Sequence, residues 1–304
     1  MEFLLILLPI FSVFLIGYIG QKRIGFDTKQ LSTMALYLMS PFLVFRTFYV
    51  NTISIDYVYL ILYTLGLSTA LLFTAWVVGK VKKWDAAKRS GVMLASSFMN
   101  NGNYGAPLAL FVFGAVGLDI AIILMVLQQL LMCTVGIFIA ASGNKDQDVG
   151  AGSSMALKSV FRMPILYAAL LGLALQVMNI SLSSLIFQTV DFVADAAIPT
   201  IMIILGMQLA KTKIKTVKIE PTVMTVLIRL VASPVIAFLI VKAMPIDETW
   251  KEIMILMAAT PTSANITLYA LQFDTEPEFV STATLITTVL SLATLPVVMW
   301  IMFL

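Results

Sequence analysis

A chain of 304 residues that is 60% hydrophobic and only 12% charged does not fold as a soluble domain; soluble domains carry about 25% charged residues, and no water-soluble core of this size hides so much apolar surface. The net charge of +3 is small and sits almost wholly in connecting segments, which argues against a nucleic-acid partner. One cysteine, Cys133, rules out a disulfide framework or a cysteine metal site, and the lack of histidine removes the usual proton shuttle and the commonest metal ligand.

The class is therefore an all-α polytopic membrane protein, with the lipid bilayer as its surroundings and no cofactor expected. At about 20 residues per crossing, ten helices are predicted: 2–20, 31–50, 56–79, 90–116, 119–141, 162–179, 184–210, 217–243, 251–273 and 278–303. The first has the length of a signal-peptide core. However, Glu2 stands where a basic region belongs and no small-residue cleavage site follows, so it is read as a span. Connections are short. The longest, 142–161, carries Ser142, Gly143, Asn144, Gly150, Gly152, Ser153 and Ser154, and reads as a flexible cytoplasmic linker between the halves 1–141 and 162–304.

Fifteen of the nineteen basic residues follow odd-numbered spans: Lys22, Arg23 and Lys29; Lys80, Lys82, Lys83, Lys88 and Arg89; Lys145, Lys158 and Arg162; Lys211, Lys213, Lys215 and Lys218. Only Lys242 and Lys251 lie on the other side. The positive-inside rule then puts both termini outside the cell membrane, and Trp76, Trp84, Trp250 and Trp300 fall near span ends as an aromatic belt.

Five spans per half is an odd number, so the second half enters the membrane inverted. The halves correspond at three places. Pro41 lies in span 2 and Pro199 in span 7. Span 4 is broken over Asn100-Asn101-Gly102-Asn103-Tyr104-Gly105-Ala106-Pro107, and span 9 over Thr260-Pro261-Thr262-Ser263-Ala264-Asn265-Ile266-Thr267. Span 5 opens with Gly117-Leu118-Asp119 and span 10 with Glu276-Pro277-Glu278. Corresponding interrupted helices in inverted halves are the sequence mark of a transporter's binding site.

If spans 4 and 9 cross, the positive N-terminal ends of their second halves, near Gly105 to Pro107 and near Ser263 to Asn265, face one small volume that suits an anion such as a carboxylate. Asn100, Asn101, Asn103 and Tyr104 from one side, and Thr260, Thr262, Ser263, Asn265 and Thr267 from the other, would supply hydrogen bonds; Gly105, Pro107 and Pro261 shape the breaks. The opposite helix ends expose carbonyls, which with Asn and Thr oxygens suit Na⁺. The competing reading is that these polar side chains only join helices, at on the order of 0.6 kcal/mol each.

Few ionisable residues lie within spans. Asp191 and Asp195 share a face of span 7 and either carry a proton or pair with a basic residue. Arg229, near the middle of span 8, either attracts an anionic substrate or pairs with an aspartate. Arg46, near the outer end of span 2, is expected to snorkel to the interface. Gln128, Gln129 and Gln208 are polar points that would line a cavity.

The Asn-Gly-Asn-Tyr-Gly-Ala-Pro stretch at 101–107, the run Ala197-Ile198-Pro199 leading to Leu205-Gly206-Met207-Gln208-Leu209, and the interrupted span 9 resemble the auxin efflux carrier family, in its bacterial organic-anion branch. The resemblance covers essentially the whole chain. It implies two inverted five-helix repeats related to bile-acid and sodium/proton transporter folds, with crossed helices 4 and 9. Helices 1, 2, 6 and 7 would form a scaffold, often dimeric, and helices 3–5 and 8–10 a moving transport domain. The implied function is elevator-type carriage of a small organic anion such as malate, malonate or an auxin-like acid, by a homodimer and not an enzyme. Two alternatives stay open: a sodium-coupled symporter or exchanger of the same fold, and a membrane sensor that uses the pocket without transport.

Overall fold

The computed structural model is helical throughout and describes residues 2–52, 54–144, 149–211 and 217–302, with the backbone alone for 2–6 and 149–154. The helices are α1 (Glu2–Ile24), α2 (Thr28–Val50), α3 (Asp56–Val81), α4 (Ala86–Ser97), α5 (Ala106–Leu131), α6 (Ile137–Gly143), α7 (Val149–Phe161), α8 (Pro164–Val177), α9 (Ser184–Lys211), α10 (Ile219–Lys242), α11 (Glu248–Ala258), α12 (Ile266–Gln272) and α13 (Pro277–Met302). Among the described residues, seven stretches are long and apolar enough to cross a bilayer: α1, α2, α3, the run Asn101–Gly143, α9, α10 and α13. The end of α7 with α8, bent by 50°, makes an eighth.

The expected spans 90–116 and 251–273 are not continuous helices. α4 stops at Ser97, and α11 stops at Ala258, seven residues before the short α12 begins after Asn265. The run Asn101–Gly143, 43 residues, would be on the order of 65 Å long as one straight helix, twice the hydrocarbon thickness. It does not stay straight. Gly114 adopts φ 68°, a conformation glycine takes without strain, and the chain folds back on itself there. A Cβ at Gly117 would stand 2.4 Å from the Ala109 carbonyl oxygen, and one at Gly102 2.9 Å from Met125 Sδ. The stretch expected as a flexible linker is helical over Val149–Phe161. Of the basic residues used for orientation, Lys145, Lys213 and Lys215 lie outside the described residues.

Proline sets most of the local irregularity. Wide, π-type turns cover Ala35–Met39, Asn101–Gly105 and Leu227–Ala232, and each ends two residues before a proline: Pro41, Pro107 and Pro234. Proline offers no N–H and its ring crowds the carbonyl four residues back, so the preceding turn loosens to the next available donor. At the first of these, Ser40 Oγ donates to the Ala35 carbonyl at 2.9 Å. Pro199, the expected counterpart of Pro41, sits inside an uninterrupted α9. A fourth π turn, Met132–Gly136, joins α5 to α6 without a proline.

The chain divides into two compact units. The first comprises Met1–Tyr57, Gly102–Val126 and Phe161–Lys211. Here α1 and α9 touch backbone to backbone. A Cβ at Gly17 would lie 2.0 Å from the Ile203 carbonyl oxygen, and one at Gly206 1.9 Å from that of Phe14. Gly172 of α8 approaches the Phe45 carbonyl of α2 in the same way, at 2.6 Å. Small residues of this kind let membrane helices approach closely enough for van der Waals attraction to hold them, where lipid removes the hydrophobic drive. Tyr49 closes the end of this packing: its hydroxyl donates to the Ile180 carbonyl at 3.1 Å and accepts from the Leu182 N–H at 2.9 Å.

The second unit comprises Val58–Asn101, Leu127–Val160 and Thr212–Leu304. Gly136 packs under the Phe98 ring, and Gly143 fits against Ser90 and Thr275. Thr275 Oγ1 donates to the Ala140 carbonyl at 2.7 Å, and Asn144 donates its amide to the Phe273 carbonyl at 3.0 Å. Ion pairs Lys82–Glu220 (3.2 Å) and Lys218–Glu276 tie segments together in basic connections.

Candidate substrate site

The two interrupted helices meet at their breaks. The Asn100 N–H donates to the Pro261 carbonyl at 2.8 Å, and the Ser263 N–H donates to the Phe98 carbonyl at 2.9 Å. Met99 and Thr262 are thereby paired as two antiparallel strand residues would be, inside the second unit. Such open backbone survives at membrane depth only where protein satisfies it, and here each break satisfies the other. The break in the first segment starts at Phe98, two residues earlier than the polar stretch itself indicated.

The side chains at the crossing divide by what they already hold. Thr262 Oγ1 donates to the Ala95 carbonyl at 2.6 Å, and Thr260 Oγ1 to the Met257 carbonyl at 2.7 Å. Both were expected to contact substrate. Their hydroxyl hydrogens serve carbonyls in the last turns of α4 and α11. Thr287 Oγ1 accepts from the Thr262 N–H at 3.3 Å. Asn100, Pro261 and Ser263 are buried at the same place, and Asn265 is half-buried and leads into α12, whose first turn includes Thr267. Asn101 is 4% exposed, and its Oδ1 has no hydrogen-bond partner among the described residues.

One further residue belongs with Asn101. Gln128 is 3% exposed, and neither of its amide atoms has a hydrogen-bond partner among the described residues. It shares a helix face with Met125, which lies on Gly102, and with Met132, which leads to the Gly136–Phe98 contact. Gln128 therefore lies on the face turned to the break. A buried amide with both ends unused is costly, on the order of 1–3 kcal/mol, unless a ligand or water fills it. Its neighbour Gln129 reaches Cys133 Sγ at 3.3 Å, and Cys133 in turn contacts the Tyr269 hydroxyl at 2.9 Å. From sequence the two glutamines looked alike. Helical spacing does not separate them, since Gln129 shares the face of Met125 and Met132 as fully as Gln128 does; burial and partners do, Gln128 being buried with both amide atoms unused and Gln129 half-buried on Cys133.

Arg229 is completely buried in the second unit. Its Nη1 donates to the Ser96 carbonyl at 3.2 Å and its Nη2 to the Ala258 carbonyl at 2.6 Å. Nη2 also donates to Ser233 Oγ, which donates onward to the Ala258 carbonyl at 2.8 Å. No aspartate pairs with it among the described residues; both guanidinium Nη atoms are taken up by carbonyls and a hydroxyl. The π turn Leu227–Ala232, loosened ahead of Pro234, contains this arginine.

The remaining expected residues lie in the first unit. Tyr104 is buried with its ring 5.6 Å from that of Phe14, and Gly105 and Pro107 are buried at the start of α5; Asn103 is half-buried in the π turn before it. A separate cavity of about 620 Å³ in this unit is lined by Arg46, Asp119, Asp191, Asp195 and Pro199 among mostly apolar side chains. Arg46, expected at the interface, has carboxylate partners. Its Nη1 binds Asp195 at 2.6 Å and Asp191 at 3.5 Å, the two carboxylates lying one turn apart on the same face of α9. Asp119 accepts from Thr47 Oγ1 at 3.1 Å. No cluster of three or more metal-binding side chains forms among the described residues.

A multi-pass helical protein whose two interrupted helices bond to one another at their breaks has the construction of a membrane transporter. The chain belongs to the membrane transport protein family, the auxin efflux carrier-like family, whose model matches residues 3–299. It is similar to an uncharacterized transporter of Methanothermobacter thermautotrophicus, 24% identical over 283 residues that cover 92% of this chain and 90% of the relative. It is also similar to an uncharacterized transporter of Methanocaldococcus jannaschii, 25% identical over 244 residues, 77% of each chain.

Proposed function

We propose that this protein is a secondary carrier for a small organic anion, a carboxylate such as malate or malonate or an auxin-like acid, bound where the two interrupted helices cross. One observation carries the reading: beside the two backbone bonds that join the breaks, the buried Asn101 Oδ1 has no hydrogen-bond partner among the described residues, and neither has either amide atom of the buried Gln128 on α5. Unused hydrogen bonding capacity at that depth needs a ligand or water. The chain would span the cell membrane ten times as two inverted five-helix repeats, with both termini outside, and would assemble as a homodimer. The first compact unit, containing α1, α2, α8 and α9, would be the scaffold. Spans 3–5 and 8–10 would be the elevator that carries substrate in alternating access; they comprise the second unit together with Gly102–Val126, which packs in the first.

Liposome uptake tests the reading. Purified protein should take up labelled malate, malonate or indole-acetate saturably. Asn101→Ala and Asn265→Ala should abolish uptake while leaving folded yield intact. Absence of saturable uptake for every carboxylate would sink the carrier reading, and wild-type uptake in both variants would move the site elsewhere.

A further inference from the structure

α4 and α11 both end at the crossing, and the last four carbonyls of a helix have no partner within it. Ser96 is the penultimate residue of α4 and Ala258 the last of α11. One guanidinium, that of Arg229, donates to both. A helix C-terminus carries roughly half a negative charge, so two of them amount to roughly one, which a single fixed cation offsets. No carboxylate pairs with Arg229 among the described residues. Its charge is thus matched to the helix ends and to nothing else. In broken-helix carriers generally, half-helix C-terminal ends and unwound carbonyls are the oxygens that coordinate a coupling cation. Here those oxygens face a side chain.

We propose that Arg229 stands in for a bound monovalent cation at the crossing: the guanidinium is the chain's own tethered counter-ion, holding together the carbonyl ends of α4 and α11. Ser233 is its positioning residue, because its hydroxyl accepts from Nη2 and donates to the same Ala258 carbonyl. The π turn is what allows this, since it lets one residue in the middle of α10 address two helix ends at once. The wild-type crossing therefore takes up no inorganic cation, and removing the guanidinium leaves a cation-sized, oxygen-lined gap. This goes one step beyond the carrier reading and rests on it only for the transport measurement.

The test uses the full-length protein and two readouts. The first needs no substrate: thermal melting of purified protein in NaCl against choline chloride at equal ionic strength, which holds screening constant. Wild-type melting should be the same in both salts. Arg229→Ala and Arg229→Gln should melt lower, and NaCl or a few millimolar methylguanidinium should raise them again. Arg229→Lys should keep the charge and stay indifferent to sodium. The second readout is malate uptake in liposomes. The Ala and Gln variants should lose about ten- to a hundredfold in choline, the loss expected for hydrogen bonds to a charged group, and should recover several-fold with Na⁺ or methylguanidinium. If Ala and Gln variants fail to fold and the Lys variant folds, the requirement for a cation stands. Sodium-dependent melting of the wild type, or a folded Gln variant indifferent to both cations, overturns the proposal. If no carboxylate is transported but the salt pattern of melting holds, the carrier reading fails and this one survives.

Discussion

Two arginines fall inside the expected spans, and each compact unit handles its own differently. In the first unit Arg46 lines an open cavity, with its side chain 21% exposed, and is matched by two carboxylates on α9. In the second, Arg229 is completely buried and is matched by two carbonyls and a hydroxyl. A part-exposed guanidinium keeps some hydration and needs only a nearby opposite charge, so its partners are interchangeable. A dry one has to have its hydrogen bonds supplied by protein, and partial charges at two helix ends supply those of Nη1 and Nη2 without a second desolvated ion, while Nε has no partner among the described residues. The consequence is mechanical as well as electrostatic. Arg46 joins two side chains, whereas Arg229 joins the ends of two helices, and with them the break that makes the candidate site.

The largest effect should follow from breaking the second arrangement. Arg229→Ala leaves the Ser96 carbonyl without its donor, at about 1–3 kcal/mol for a buried group left unpaired, and leaves the Ala258 carbonyl with the Ser233 hydroxyl in place of a charged donor. Purified variant should melt well below wild type in choline chloride. Unchanged melting there would mean that the two arginines are equally dispensable and the contrast is empty.

Packing extends the comparison. The first unit depends on backbone contact between α1 and α9, so Gly206→Val drives carbons into the Phe14 carbonyl, which has no room to yield. A loss of about 1–3 kcal/mol is expected, the usual cost of overpacking. In the second unit Gly66 on α3 has its nearest neighbour at 3.8 Å, so Gly66→Ala should be neutral or stabilising by about 0.5–1 kcal/mol through helix propensity. Melting curves of the pair decide whether close helix contact is specific to the first unit.

A smaller effect separates frame from site within the crossing itself. Thr262→Val removes the hydrogen bond to the Ala95 carbonyl and should cost about 1 kcal/mol of stability. Asn101→Ala removes an oxygen with no hydrogen-bond partner among the described residues, so its melting should barely change while uptake is lost. The reverse pattern would exchange their roles.

These pairs also mark what a linear reading can reach. The polar interruptions at Asn100–Pro107 and Thr260–Thr267 stand out in an apolar chain because helices do not break at membrane depth without reason, and the structure joins them. What each residue holds there was not legible. Thr262 and Asn101 look equally suited to a ligand, and only the fold brings the Ala95 carbonyl to one of them and nothing to the other. Arg229 offered two roles by its depth and has a third, because the carbonyls of Ser96 and Ala258 lie 133 and 29 residues away in sequence. Pro234 carries a local signal, because three of the four π turns end two residues before a proline. Arg46 shows the same limit as Arg229, because its pairing with Asp191 and Asp195 joins residues about 145 positions apart in sequence.

The smallest expected effect belongs to that last pair, and it tests whether the first unit's charges are structural or move protons. Asp195→Asn removes the carboxylate at 2.6 Å, but Asp191 remains at 3.5 Å on the same guanidinium nitrogen, and the asparagine oxygen still accepts. An exposed pair is worth about 0–1 kcal/mol, so melting should shift by less than about 4 °C. Uptake should fall by less than about fivefold, the change that 1 kcal/mol allows. Asn cannot release a proton, so a carrier that moved one through Asp195 would lose all uptake with its melting unchanged. The double variant Asp191→Asn with Asp195→Asn removes both formal charges from Arg46 and should exceed the sum of the singles, because each aspartate substitutes for the other. If the two effects are simply additive, the carboxylates do not share the arginine, and the contrast with the singly purposed Arg229 loses its first term.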